Sequence, residues 1–233
     1  MEDRAAASRR RRGRLLKPAV FAASCLPLVK LAADALGDHL TANPIAEVLN
    51  RFGFWTLTFL TISLAISPAK TLFGFTQPMR VRRMLGLFAF FYAFLHFATY
   101  LALDQAFDLG DIGADIVKRK FITVGFAAFL LLAPLALTST DRAVKRLGFR
   151  RWKRLHRLVY ASAVLAIVHF VWRVKADLSL PIVFTVILGL LFAVRIGAWL
   201  KRPRRPPSDS AEALRERKAV DGTHERSPSR GTA

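Results

Sequence analysis

The chain has 233 residues, 53% of them hydrophobic, and carries 36 Lys and Arg against 16 Asp and Glu, a formal net charge of +20. A mean hydropathy of +0.32 alongside that charge requires apolar and basic residues to be segregated along the chain, as in an integral membrane protein with basic flanks. Such blocks speak against a basic nucleic-acid-binding domain, whose Lys and Arg alternate with core positions, and the single cysteine, Cys25, rules out an intrachain disulfide or a cysteine metal cluster.

A helix needs about 20 mainly apolar residues to cross a bilayer, and six segments qualify: 19–36, 52–68, 84–103, 121–138, 155–173 and 181–199. Lys30 and Asp34 interrupt the first, at a spacing that lets them pair on one face near the helix end. Arg11-Arg12-Gly13-Arg14-Leu15-Leu16-Lys17 ahead of it resembles a twin-arginine export signal, but five more spans follow, so these arginines read as the cytoplasmic anchor of a first span. Asn43-Pro44, Pro68, Pro78 and Pro181 fall at the expected boundaries, where proline is tolerated. Residues 201–233, rich in charge, Pro and Ser, read as a disordered tail. The expected organisation is a basic N-terminus over 1–18, a six-span domain over 19–200 and the tail over 201–233. No internal repeat is visible.

Positive charge sets the orientation. Arg9 to Arg12, Arg14 and Lys17, the connection with Lys70, Arg80, Arg82 and Arg83, the connection from Arg142 to Arg154 and the tail are basic, and with six spans they share one side, the cytoplasm. The opposite connections carry Asp38, Glu47, Asp104, Asp108, Asp111, Asp115 and Asp177. Lys118, Arg119 and Lys120 break this rule and are expected to snorkel to the interface, the alternative being contact with anionic membrane lipid or a partner protein. The fold class is thus an all-α membrane protein, a six-helix transmembrane bundle with both termini cytoplasmic.

Two histidines stand inside apolar spans, His96 in the third and His169 in the fifth. An ionisable side chain at membrane depth is costly and marks a functional site with a partner to be found. Both spans run outward, and at 1.5 Å per residue the two lie ~18–21 Å from the cytoplasmic edge. Two neutral imidazoles at matched depth on parallel helices can clamp a haem iron axially. His156 precedes His169 by thirteen residues, ~20 Å lower and rotated by ~220° on an ideal helix. It is open to two readings, a ligand of a second haem or an interfacial histidine bonded to headgroups or loop carbonyls. His39 and His224 read as solvated.

The stretches TANPIAEVLNRFGFW, RRMLGLFAFFYAFLHFATYLAL, DIVKRKFITVGFAAFLLLAPLALTST and WKRLHRLVYASAVLAIVHFVW closely resemble the bacterial MsrQ family, formerly YedZ, over about residues 15–200. The resemblance implies a ferric-reductase-like transmembrane fold in the bacterial inner (cytoplasmic) membrane, b-type haem and FMN. It further implies electron transfer from respiratory quinol, or from a flavin reductase, to a periplasmic molybdopterin-containing methionine sulfoxide reductase catalytic subunit that repairs oxidised proteins. The family's haem histidines match His96, His156 and His169. Relative to the wider superfamily one inner histidine is missing, Arg82 and Arg83 standing where its partner is sought, which puts a second bis-histidine haem in doubt.

The chain has no G-x-G-x-x-G after a strand, no P-loop and no room in its tail for a nicotinamide or flavin domain, so electrons are expected from quinol or a separate flavoprotein. The acidic loop around 104–115 is the expected docking face for the periplasmic partner, and reduction of the substrate belongs to that partner. Arg82, Arg83 and Arg154 could meet an anion or a propionate, although the topology rule already accounts for them. Two rivals remain: a histidine-containing transporter or proton relay without haem, which usually shows inverted repeats, broken helices and mid-span carboxylates, the last absent here, and a structural assembly subunit, which would need no histidine pair.

Overall fold

The computed structural model describes residues 2–174 and 176–201, with side chains from Leu15 onward; apart from Lys201, the expected tail lies outside the described residues. Packing divides the chain into a unit Met1–Arg195 and a second, Ile196–Ala233. The described residues form helices and connections with no strand.

Helix α1 (Glu2–Leu36) contains Pro18 and Pro27 and spans from Leu15. Helix α2 (Pro44–Phe73) starts at an Asn43 cap, whose side chain accepts from the Ala46 amide, and ends at Gly74 in the left-handed conformation, φ 70°. Pro68 lies inside α2 and not at its boundary as expected, since the helix continues one more turn. After a short 3-10 turn (Gln77–Arg80) come α3 (Arg82–Thr99) and a π-helical turn (Tyr100–Asp104). The amphipathic α4 (Leu109–Lys118) links it to α5 (Lys120–Leu137). Two short basic helices, α6 (Asp141–Leu147) and α7 (Phe149–Leu155), lead to α8 (Leu158–Arg173), and α9 (Ser179–Leu200) follows.

Six helical segments are long and apolar enough to cross a membrane, and each contains or overlaps one of the expected spans. Large apolar side chains such as Val186, Leu190 and Leu130 point outward, as a bilayer requires and water would penalise. The chain is a multi-pass membrane protein of six spans.

Two antiparallel pairs form the framework, α2 with α3 and α5 with α8. In the first, Leu60, Leu64, Leu85 and Ala89 are buried and Tyr92 stacks on Phe59 at 5.4 Å. In the second, small residues allow close approach, Ser162 and Ala163 being fully buried and the Ser162 hydroxyl donating to the Ala128 carbonyl at 2.9 Å. Phe90 and Phe97 of α3 stack on Phe129 of α5 and join the pairs.

Helix α1 is tied on by the buried Tyr92 hydroxyl, which donates to the Ser24 carbonyl at 2.8 Å, and by Asp34, which accepts from both Lys30 and Arg51. Tyr92→Phe is expected to cost about 0.6–1 kcal/mol, one hydrogen bond between membrane helices, and Tyr92→Ala about 3–5 kcal/mol through the cavity it leaves. Unfolding of the detergent-solubilised protein measures both, and equal losses would contradict the packing role of the ring.

Candidate functional site

His96, near the end of α3, and His169, near the end of α8, meet with ring centres 6.2 Å apart and planes at 84°. Each ring is held by the helix paired with its own. His96 Nδ1 donates to the Leu49 carbonyl of α2 at 2.8 Å, and His169 Nδ1 donates to the Phe121 carbonyl of α5 at 2.7 Å. A carbonyl only accepts, so the proton sits on Nδ1 and the lone pair of the neutral ring is on Nε2. Such a bond on the far nitrogen orients metal-ligating histidines and fixes their tautomer.

One turn beyond each carbonyl stands a glycine, Gly53 after Leu49 and Gly125 after Phe121. A Cβ on Gly125 would lie 2.5 Å from His169 Nδ1, and one on Gly53 would lie 3.4 Å from the His96 ring. The two helix pairs therefore repeat one device, an imidazole laid in a glycine notch with its Nδ1 on the carbonyl one turn earlier. The sequence shows no repeat because only a carbonyl, a glycine and a histidine on another helix have to agree.

The rings open into a cavity of about 550 Å³ walled by Phe54, Phe97, Phe126, Phe129 and Leu132, a size suited to a cofactor. Two imidazoles sharing one metal through bonds of about 2 Å have ring centres roughly 6 Å apart, which the pair matches. Among the described residues no three His, Cys, Asp or Glu come together as metal ligands. The remaining ligands of a metal held here would have to arrive with it, as they do in a porphyrin, and the flat apolar walls suit that group.

Charge gathers at the cavity mouth. Arg51 pairs with Asp34 and Glu47, and Arg119 pairs with Asp115 at 3.2 Å. Arg119 thus lines the mouth in an ion pair, where simple snorkelling was expected. Arg173, one turn beyond His169, also lines the cavity.

His156 is not brought to this site. The expected continuous helix is interrupted, with His156 capping α7 and Arg157 preceding α8, so the ideal-helix rotation between His156 and His169 does not apply. Its ring stacks on Trp152 at 3.9 Å, its Nδ1 donates to the Trp152 carbonyl at 3.1 Å, and its Nε2 lies 3.4 Å from the Ser139 hydroxyl. Nearby, Arg83 donates to the Ser139 carbonyl and pairs with Asp141, holding that carboxyl below its ordinary range. Arg82 donates to the Ser67 hydroxyl at 2.9 Å, and Arg154 is exposed.

Sequence reasoning missed Gly53, Gly125, Arg173 and Arg195. Arg195, the one charge in α9, was detectable as such; it donates to the Leu64 carbonyl at 2.8 Å and to the Tyr160 hydroxyl, tying α9 to α2 and α8. Arg173 carried an i,i+4 relation to His169 that the sequence also displays. The glycines carried no signal, since their partners lie 43 to 44 residues away in the chain.

Residues 49–167 match the family described as ferric reductase like transmembrane component. The chain is 56% identical over 199 residues to the "Protein-methionine-sulfoxide reductase heme-binding subunit MsrQ" of Rhodospirillum rubrum, covering 84% of this chain and 96% of that protein. Proteins of the same name from Herminiimonas arsenicoxydans and Deinococcus radiodurans are 51% and 47% identical, each over 82% of this chain and over 88% and 95% of their own length. With the six spans and the facing histidines, these likenesses establish that the chain belongs to the MsrQ family of ferric-reductase-like membrane proteins.

Proposed function

We propose that this chain is the haem-binding electron-transfer subunit of a protein-methionine-sulfoxide reductase system, with His96 and His169 as the axial ligands of one b-type haem. The carrying observation is the imidazole pair, ring centres 6.2 Å apart, with each Nδ1 spent on a carbonyl and each Nε2 left to coordinate. When bound, haem supplies one-electron redox chemistry whose potential follows from ligands, burial and charge. The chain's own work is to fix both ring orientations, keep the pocket apolar and dry, and place charged groups only at the mouth. Catalytic reduction of the sulfoxide stays with the partner.

In this reading the protein sits in the bacterial inner membrane with both termini in the cytoplasm, a basic N-terminus over 1–18, the haem domain over 19–200 and a basic tail beyond. The positive-inside rule supports that orientation. Electrons enter from the quinone pool or a flavin reductase and leave near the cavity mouth, beside Asp104–Asp115, to a periplasmic molybdopterin-containing catalytic subunit. FMN belongs to the proposal through the family resemblance alone. His156 as a ligand of a second haem belongs to the proposal through the family resemblance alone, its Nε2 lying 3.4 Å from the Ser139 hydroxyl.

The test is the reduced-minus-oxidised visible spectrum of the detergent-purified full chain, followed by addition of a quinol under anaerobic conditions. A low-spin b-type spectrum that quinol develops is the expected result. A folded chain that stays colourless when haem is supplied would overturn it and return the histidines to a transporter or proton relay.

A further inference from the structure

Five Asp and Arg side chains line the cavity, and four of them are engaged. Arg51 and Arg119 hold carboxylates, as described. Asp104 accepts from the Gln105 side chain at 3.1 Å. Asp177 accepts from the Ser179 amide at 2.9 Å at the start of α9, and its carboxyl is held below the ordinary range by Ser179. Arg173 is the fifth. It is half-buried at the end of α8, one turn from His169, and makes no ion pair or side-chain hydrogen bond among the described residues.

A half-buried guanidinium with five donors and no acceptor is costly unless a ligand completes it. The carboxylates of the same lining, Asp104 and Asp177, are engaged with Gln105 and Ser179, and the rest of the wall is mainly apolar, so a ligand that fills the cavity is the acceptor open to Arg173, and a planar fork favours a carboxylate. We propose that Arg173 is the carboxylate seat of this cavity, its guanidinium pairing with a propionate of the haem held by His96 and His169. This rests on the haem reading above and adds to it an orientation: the propionate edge faces the mouth and the apolar edge lies against Phe97 and Phe129. Placement of Arg173 and His169 on one turn makes α8 grip the ligand at two points, iron and carboxylate, so the ring cannot pivot about the metal bond alone.

The experiment compares uptake of haem b and of its dimethyl ester, in which both propionates are neutral, by the full chain produced under haem limitation. Parent, Arg173→Gln and Arg173→Lys are titrated and their midpoint potentials measured. Arg173→Gln is expected to weaken haem binding about tenfold or more, the worth of a charge-assisted pair, to leave ester binding within about twofold, and to lower the midpoint potential of the haem-loaded protein. Arg173→Lys, which keeps the charge but loses the fork, is expected between the two. Equal weakening of haem and ester by Arg173→Gln would overturn the proposal and make Arg173 a packing residue, as would parent-like behaviour of both variants. A parent that binds neither porphyrin sinks the haem reading itself, whereas a low-spin parent with an indifferent Arg173→Gln sinks only the seat.

Discussion

Alanine at His169 is expected to abolish the low-spin b-type spectrum, and His96→Ala is expected to do the same. Each ring supplies one Nε2 from its own helix pair, and no third His, Cys, Asp or Glu joins them among the described residues to replace a lost ligand. Even partners that only orient a ligand change metal affinity about 10–100-fold, so loss of the ligand should reduce haem content to about a tenth of the parent or less, the remainder being high-spin. Free imidazole should restore part of the low-spin signal, because alanine leaves a ring-sized hole beside the glycine. His156→Ala serves as the contrast, since that ring stacks on Trp152 and lies away from the cavity. It should leave the His96–His169 haem intact, and removal of about half the haem by that variant would instead assign a second haem to His156. A low-spin spectrum that survives His169→Ala without imidazole would refute the clamp.

Gly125→Ala should come close to the same loss without touching a ligand. Its Cβ would stand 2.5 Å from His169 Nδ1 and 2.8 Å from Cε1, closer than carbon and nitrogen tolerate. The ring must then leave the Phe121 carbonyl or α5 must draw back from α8. Overpacking costs about 1–3 kcal/mol and the Nδ1 hydrogen bond roughly 1 kcal/mol more, together about a hundredfold in cofactor affinity. Gly53→Ala makes the comparison sharp, because there the nearest His96 atoms are 3.4 Å away, an ordinary contact. That variant should bind haem within about threefold of the parent, and its helix should gain up to about 1 kcal/mol from the better helix former. Haem titration and the low-spin band read both. Equal behaviour of the two alanine variants would mean that the notch around His169 is looser than its geometry implies.

Legibility followed the range of each interaction. The six spans were readable because bilayer thickness acts on every residue of a segment, so composition alone carries the signal. His96 and His169 were readable because a titratable group in an apolar run is rare and expensive. Pro68 was misjudged as a boundary, since a proline one turn from a helix end is tolerated inside it as well as before it. The break at His156 was missed because the stretch from Trp152 to Trp172 reads as one apolar-basic helix, while a turn at His156 and Arg157 interrupts it before α8. Arg119 was read as a snorkelling cation, since its pairing with Asp115 depends on α4, a helix that the span count did not include.

By itself the sequence determined that this protein is a six-span membrane bundle with two histidines at membrane depth, and it carried the family resemblance, because hydropathy, charge blocks and motif wording are properties of contiguous residues. Only the tertiary structure decided that the two imidazoles face one another, that each is oriented by a carbonyl and a glycine of a helix more than forty residues away, and that Arg173 has no ion-pair partner among the described residues where Arg51 and Arg119 have one. Those facts depend on which helix faces pair and how closely they approach, and packing between distant segments leaves no periodic trace in a single chain.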